Sequence, residues 1–447
     1  MRKRPAARQM PQAGRGRAVW PFLAVAGVGL FVRVAHVLQM RVNDPLFFAP
    51  QLDALYHHQW AMAVAGGVEF VRDAYFRAPL YPLFLGLLYR VFGVGMLVPR
   101  LVQAALGAAG CGFLYLIGRR LFNARTGIAS GLLMAVYPLL VYYDGELMLE
   151  GLLVVLVLAG FVLLRSREKD RQWLLPGLAF GLAAITRPNV LAFVAVLPVW
   201  FLLEFRQGWW RRLLLFLLGV VVPIVPVTIR NYAVSRQLVP IAWQGGINFY
   251  IGNNPQSDGI TAIAPGSRGS WTGSYYDAKR RAEQVTGREL KGAEVDRFWM
   301  RRGLEFWRRE PARAFGLLLR KTYLWLSGYE VSNERDIYFA RRYFFLGVLV
   351  MNPGWLKLPF GIVLPLALAG IWLERGRWRR LLPVYLFLIG YSLSFIAFFV
   401  TARFRLPLVP FLLLLAAAGA GRLLKARGKD LAVGGGMALA AFLIFNL

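Results

Sequence analysis

LVPRLVQAALGAAGCGFLYLIGRRLFNAR, residues 97–125, has two parts of opposite character. Residues 97–118 hold one charged side chain, Arg100, in an otherwise apolar run. At about 1.5 Å per residue such a run crosses a hydrocarbon core of roughly 30 Å as a helix. Residues 119–125, RRLFNAR, carry three arginines and no acid, the composition of a short cytoplasmic loop. Working outward, the same pairing recurs. Apolar runs lie at 19–40, 126–143, 148–165, 172–187, 189–205, 212–229, 355–373, 381–400, 404–421 and 431–447. Basic loops follow at 165–171, 206–212, 374–380 and 421–429. Two further segments, 79–93 and 312–328, are apolar but contain charges or prolines, and they read as interfacial or partly embedded helices. The pattern predicts an all-α membrane protein, a polytopic bundle of about 11–13 transmembrane helices with interfacial helices in the outer loops.

Composition supports this reading. Of 447 residues, 57% are hydrophobic and 17% charged, against about a quarter charged in soluble domains. The net charge of +30 comes from 53 Lys+Arg against 23 Asp+Glu. These basic residues gather at the ends of apolar runs and suit anionic lipid headgroups, so the excess implies membrane lipids and no nucleic acid. The lone cysteine, Cys111, rules out an intramolecular disulfide. The three histidines are His36, His57 and His58, so a metal site needs carboxylate ligands.

Placing the basic loops inside leaves 41–96, 143–150 and 230–354 outside. The chain then divides into a basic cytoplasmic tail at 1–18, an N-terminal transmembrane module at 19–229 that includes outer loop 41–96, an outer region at 230–354 with embedded helices, and C-terminal helices at 355–447. The first apolar run has no small-residue cleavage site behind it and reads as an uncleaved helix. Gly177 and Gly181 form a G-x-x-x-G pair that indicates close helix packing.

The chemistry-bearing residues fall on the predicted outer face. In FFAPQLDALYHHQW (47–60), Asp53 sits in the first turn of a helix and shares one face with Tyr56, His57 and Trp60. That is a carboxylate held at the membrane surface beside aromatic groups; the same pattern also fits a plain interfacial helix. In YYDGELMLE (142–150), Glu146 and Glu150 are spaced to share a helical face with Asp144 nearby. They form a second acidic centre opposite Asp53, or else simply lie at the interface. Arg187 in ITRPN (185–189) sits at an outer helix end, where it either snorkels to the interface or reaches a phosphate. Arg403 and Arg405 in TARFRLP (401–407) are outside-facing arginines in a short loop, which run against the positive-inside rule and suit a phosphate clamp. Lys321 lies within the embedded 312–328 segment. The stretch 228–259 is dense in glycine, amide and aromatic residues, including Asn248, Asn253 and Asn254, and suits a shaped polar pocket or a structured loop.

Taken in order, D-x-x-Y at 53–56, R-x-P-L-Y-P at 77–82, the acids around 146–150, T-R-P at 186–188, I-R-N-Y at 229–232, G-G-I-N-F-Y-I-G-N-N-P at 245–255 and R-F-R-L-P at 403–407 resemble the GT-C fold, polyprenyl-phosphate-sugar-dependent glycosyltransferases. These include the protein O-mannosyltransferases of glycosyltransferase family 39 and the lipid A aminoarabinose transferases. The resemblance covers about residues 19–422. It implies a hexosyl- or pentosyltransferase in a bacterial inner membrane, with an outer-face cavity where an acceptor lipid, glycan or protein displaces a lipid phosphate with inversion. It further implies that Asp53 acts as base or orients the acceptor, and that Lys321, Arg403, Arg405 and Arg187 contact the lipid phosphate. Tyr56, His57, Glu146, Glu150, Asn248, Asn253 and Asn254 would then line the acceptor cavity. A divalent cation, if one is bound, would use Asp53 and Glu150. Position 54 is Ala where the mannosyltransferase pattern has Glu, which puts a protein acceptor and a metal role in doubt. A transporter or flippase of lipid-linked sugars is the alternative. It is expected to show inverted repeats, and no matching halves are visible in the sequence.

Overall fold

The computed structural model describes residues 16–164, 170–205 and 207–446. Most of the basic N-terminal tail, 1–15, and most of the 165–171 loop lie outside the described residues. The described chain is helical, with one isolated bridge, Met351 to Leu358, and no strand. The helices are α1 (Gly16–Asn43), α2 (Leu52–Ala65), α3 (Leu80–Phe92), α4 (Leu97–Leu121), α5 (Ala124–Ala135), α6 (Pro138–Gly145), α7 (Glu150–Leu163), α8 (Leu174–Thr186), α9 (Val190–Val196), α10 (Pro198–Glu204) and α11 (Trp209–Ser235). They continue as α12 (Gly245–Ile251), α13 (Ala278–Thr286), α14 (Gly292–Arg309), α15 (Pro311–Leu326), α16 (Ile337–Ala340), α17 (Phe360–Leu373), α18 (Trp378–Ile396), α19 (Val409–Leu423) and α20 (Gly428–Asn446).

Five stretches among the described residues are long and apolar enough to cross a membrane: Val19–Asn43, Leu97–Leu121, Trp209–Ser235, Arg375–Ile396 and Gly428–Asn446. The bent pair α5–α6 makes a sixth if it is one span. This is fewer than the eleven or more apolar runs in the sequence suggest, because several runs fold as shorter helices. The 126–143 run bends by 52° where α5 meets α6. Pro138 cannot donate to the helix ladder, and Tyr137 before it is extended (φ −70°, ψ 113°). The 189–205 run folds as the shorter apolar stretch Val190–Glu204, with a one-residue interruption at Leu197 before Pro198 that leaves the backbone helical. The other short apolar helices are α3, α7, α17 and α19.

The bundle has an apolar core, as a soluble one would, but the outer faces of its long helices are apolar as well. On α11, Leu214, Leu218, Val221, Val222, Val225 and Ile229 are exposed, and on α20 so are Leu439, Leu443 and Ile444. In water such stripes would be an aggregation surface; in lipid they are the solvated face. Together with the long apolar helices they define a multi-pass membrane protein. Gly177 and Gly181 let α8 lie directly on α11, since a Cβ at these positions would stand 2.0 Å from the Phe216 carbonyl oxygen and 2.4 Å from that of Val220. Inside the bundle, Arg33 of α1 pairs with Asp144 of α6 at 2.6 Å.

The two doubtful segments are amphipathic. On α15, Phe315, Leu319 and Tyr323 are exposed while Leu317, Lys321 and Trp325 are buried. On α3, Tyr81, Leu85 and Tyr89 are buried while Leu87 and Val91 are exposed. The cavity described next is lined instead by α2, α12, the segment just before α3 and the chain between α15 and α16.

Candidate functional site

A cavity of about 770 Å³ opens among α2, the segment before α3, the α8–α9 junction, α12, the 260–274 loop and the 394–404 stretch. Its wall carries Asp53, His57, Arg77, Arg187, Glu334 and Arg403 as titratable groups. His57 lies within α2, and the arginines and Asp53 sit at ends or breaks of regular structure. Asp53 lies in the first turn of α2, behind Leu52, whose φ of 50° is rare for a leucine. Such a residue costs about 1–3 kcal/mol and persists where neighbours hold it. Arg77 precedes the proline that starts α3. Arg187 caps α8, where Pro188 forbids continuation. Arg403 sits on a 3-10 turn, Ala402–Arg405, ahead of α19. The Ala402 N–H donates to the Val331 carbonyl at 2.8 Å, which ties that turn to the loop bearing Glu334.

The charges form a chain. Asp53 Oδ1 meets Arg77 Nη1 at 2.5 Å and Asp53 Oδ2 meets Arg403 Nη2 at 2.8 Å. The same Arg403 Nη2 is 3.3 Å from Glu334 Oε1, and Arg403 Nη1 is 3.8 Å from Glu150 Oε1. Arg187 Nη2 closes the chain on Glu150 Oε1 at 2.6 Å. The Asp53 backbone N–H also donates to Glu334 Oε2 at 3.2 Å. Three guanidiniums thus interleave with three carboxylates. Even so, the Nε–H groups of Arg77, Arg187 and Arg403 are buried without a partner in the protein, as is Glu150 Oε2. Buried polar atoms of this kind are rare and call for an explanation.

Burial pushes the Asp53 carboxyl up, but Arg77 and then Arg403 outweigh it and hold the group well below the usual carboxylate range. Glu334 goes the other way: burial, and then the Asp53 charge beside it, push it well above that range against the pull of Arg403. Burial drives His57 down to about 3 although Asp53 opposes it. The ring is therefore neutral. Its Nδ1 lies 3.1 Å from the Leu147 carbonyl oxygen and donates to it, which leaves Nε2 as an acceptor.

The structure brings together Asp53, His57, Arg187, Asn248 and Arg403, with Glu150 buried beneath two of the arginines. Tyr56 faces a smaller neighbouring cavity of about 240 Å³ and stacks under Arg77 at 4.9 Å. Other expected site residues are spent on the fold. Lys321 Nζ donates to the carbonyls of Gly252 at 3.0 Å and Phe398 at 2.8 Å, and burial pushes it down to about 8. Arg405 is paired with Glu330 at 2.6 Å and donates to the Trp325, Ser327 and Tyr329 carbonyls. Asn253 and Asn254 donate to nearby backbone carbonyls. None of these four lines the cavity. Glu146 and Glu150 do not share a helix, because the chain turns between α6 and α7. Glu146 is half-buried and does not line the cavity, while Asp144 turns to Arg33.

Arg77 and Glu334 are the residues that sequence reasoning passed over. Arg77 stood inside the R-x-P-L-Y-P stretch, and an outside-facing arginine was the very signal used for Arg403. Glu334 lies in SNERD (332–336), a loop with no periodicity to single it out. A divalent cation on Asp53 and Glu150 does not fit this arrangement. Both Asp53 oxygens are held by guanidiniums, Glu150 is paired twice, and among the described residues no three His, Cys, Asp or Glu side chains cluster as ligands. The cations on the wall, Arg77, Arg187 and Arg403, suit an anionic ligand better than a metal.

Residues 77–229 match the family model of dolichyl-phosphate-mannose-protein mannosyltransferases. No curated protein matches the sequence significantly. The structure is similar to the oligosaccharyltransferase of Archaeoglobus fulgidus in its complex with Zn and sulfate, with a TM-score of 0.51 at 13% identity over 95% of this chain and 52% of that one. The chain therefore spans about half the length of that protein. It also matches ArnT from Cupriavidus metallidurans bound to undecaprenyl phosphate, with a TM-score of 0.38 at 18% identity over 92% of this chain and 79% of that one. The fold is that of the GT-C membrane glycosyltransferases.

Proposed function

We propose that this protein is a glycosyltransferase that moves a sugar from a polyprenyl-phosphate carrier to an acceptor lipid, glycan or protein. Transfer takes place at the outer face of a bacterial inner membrane. The observation that carries the reading is the trio of guanidinium side chains, Arg77, Arg187 and Arg403, on the wall of a cavity that also holds Asp53. Guanidinium N–H groups match phosphate oxygens in geometry and charge. A cavity of about 770 Å³ has the size of a small-molecule site. Phe395, Phe398 and Phe399 give it an apolar side suited to an isoprenoid chain. The match of 77–229 to a family that uses dolichyl-phosphate-mannose agrees with this donor class.

In this reading the acceptor attacks the anomeric carbon as the bond to the phosphate oxygen breaks, and a single displacement inverts configuration. Fixed guanidinium charge stabilises the departing phosphate, and it is already in place before charge develops. Asp53 serves as base or orients the acceptor. The test is turnover of undecaprenyl-phosphoryl-mannose, -glucose and -aminoarabinose by protein in proteoliposomes. Asp53→Asn is expected to lower kcat/KM on the order of 10²–10⁴-fold. Movement of the lipid-linked sugar across the bilayer with no glycosyl product would replace this reading with a flippase.

A further inference from the structure

Asp53 is badly placed to take a proton. Both its oxygens are ion-paired, at 2.5 Å to Arg77 and 2.8 Å to Arg403. A carboxylate clamped between two guanidiniums is a weak base, because any proton it accepts must displace a cation. Glu334 lies against it with different constraints. It lines the same cavity, and its side chain is 16% exposed. Its one cationic contact is the 3.3 Å approach to Arg403 Nη2, an atom that already serves Asp53. Its Oε2 accepts the Asp53 backbone N–H at 3.2 Å, and its carboxyl also lies within hydrogen-bond reach of the Asp53 carboxyl. The charged and titratable groups facing it are Asp53 from α2, Arg77 from the segment before α3, Tyr143 from α6 and Arg403 from the 3-10 turn.

We propose that Glu334 is the group that takes the acceptor's proton, and that Asp53 is the fixed anion that holds Arg77 and Arg403 around the donor phosphate. This rests on the glycosyltransferase reading above and divides between two residues the roles left together at Asp53. The step balances as follows. The acceptor's O–H or N–H lone pair forms the bond to the anomeric carbon, and the bond to the phosphate oxygen breaks with its electron pair left on the phosphate. The acceptor proton passes to the Glu334 carboxylate, which later releases it to water. Two neighbouring carboxyls whose surroundings drive their proton affinities apart are how proteins separate an electrostatic role from a proton-carrying one. Here the two arginines lower Asp53, while burial and the Asp53 charge raise Glu334.

Two measurements test this. The first is an infrared pH titration of the protein in lipid vesicles, with no donor added. Wild type is expected to show a carboxyl that titrates above the usual carboxylate range. Glu334→Gln should remove that transition, and Asp53→Asn should move it to lower pH by deleting a neighbouring negative charge. Burial also raises Glu146, Asp296 and Glu330, so the transition is read from the difference between wild type and Glu334→Gln; if that difference holds no above-range carboxyl, the proposal is overturned. The second is the pH dependence of kcat/KM with the three donors named above. Wild type should gain activity as pH rises through the Glu334 transition. Glu334→Gln should lose most of its kcat together with that rising limb, and Glu334→Asp should keep a limb at a displaced pH. A full rising limb in Glu334→Gln would also overturn the assignment. If no donor turns over while the infrared results hold, the transferase reading has failed, and so has Glu334's part in it; the proton's location stands.

Discussion

Arg403→Lys isolates geometry from charge at the centre of the site. One guanidinium there meets three carboxylates: Asp53 at 2.8 Å, Glu334 at 3.3 Å and Glu150 at 3.8 Å. Its side chain is only 7% exposed, so solvent screens these contacts little. A lysine ammonium keeps the positive charge but concentrates it at one point and loses the fork. From this position it can serve one carboxylate well. A charge-assisted hydrogen bond contributes about 1.5–3 kcal/mol, so losing the equivalent of one such bond and weakening another amounts to roughly 2–4 kcal/mol. These bonds exist in the free protein, so that loss is expected in unfolding stability. Losing one charge-assisted bond to the donor phosphate, about 1.5–3 kcal/mol, should lower kcat/KM by about 10–150-fold. The assay is donor turnover in proteoliposomes, with thermal unfolding measured in parallel. Arg403→Ala is less informative, since stranding buried carboxylates costs about 3–5 kcal/mol of stability and confounds the rate. If Arg403→Lys stays within threefold of wild type and melts at the same temperature, the three-carboxylate arrangement is not what organises the site.

Lys321→Met should lower the melting temperature, because the 252–253 turn loses its tie to the Phe398 carbonyl, yet leave the KM for the lipid donor within about threefold, a judgement drawn from the lysine's absence from the cavity wall. A tenfold rise in donor KM would return Lys321 to the phosphate. His57 should make the protein acid-sensitive. Its folded value of about 3 lies below the unfolded value of about 6.5, so its contribution is complete above about pH 6.5 and is lost as pH falls toward 3. The slope is at most about 1.4 kcal/mol per pH unit. His57→Gln should flatten that decline in melting temperature between pH 6.5 and 4.5, and an unchanged slope would place the acid sensitivity elsewhere.

Membrane embedding was legible because it depends on run length and loop charge, both local properties. The bend at α5–α6 was less so. Pro138 was in plain view, but the apolar run continues through it, and an apolar count does not register a missing N–H donor. Asp53, Arg187 and Arg403 were legible for a shared reason: a charge next to a membrane helix needs a partner or a use. That argument cannot distinguish the two. Lys321 and Arg405 satisfied the same rule, and the fold uses them as struts, one on backbone carbonyls and one on Glu330.

What separates Arg403 from Arg405, two residues apart on one turn, is what lies opposite each. Arg405 points to Glu330 and three carbonyls and stacks on Phe360 at 3.9 Å. Arg403 points to a cavity wall made from several distant segments of the chain. Asp53 is 350 positions away in sequence, and its partner Glu334 comes from a loop 281 positions beyond it. No pattern within a window of sequence holds that information. The same holds for the chemistry assigned to the pair. Seen alone, Asp53 is a carboxylate on the outer face and a natural base. With a guanidinium on each oxygen it becomes the anion that positions cations, and the carboxyl able to carry a proton is the one beside it, Glu334.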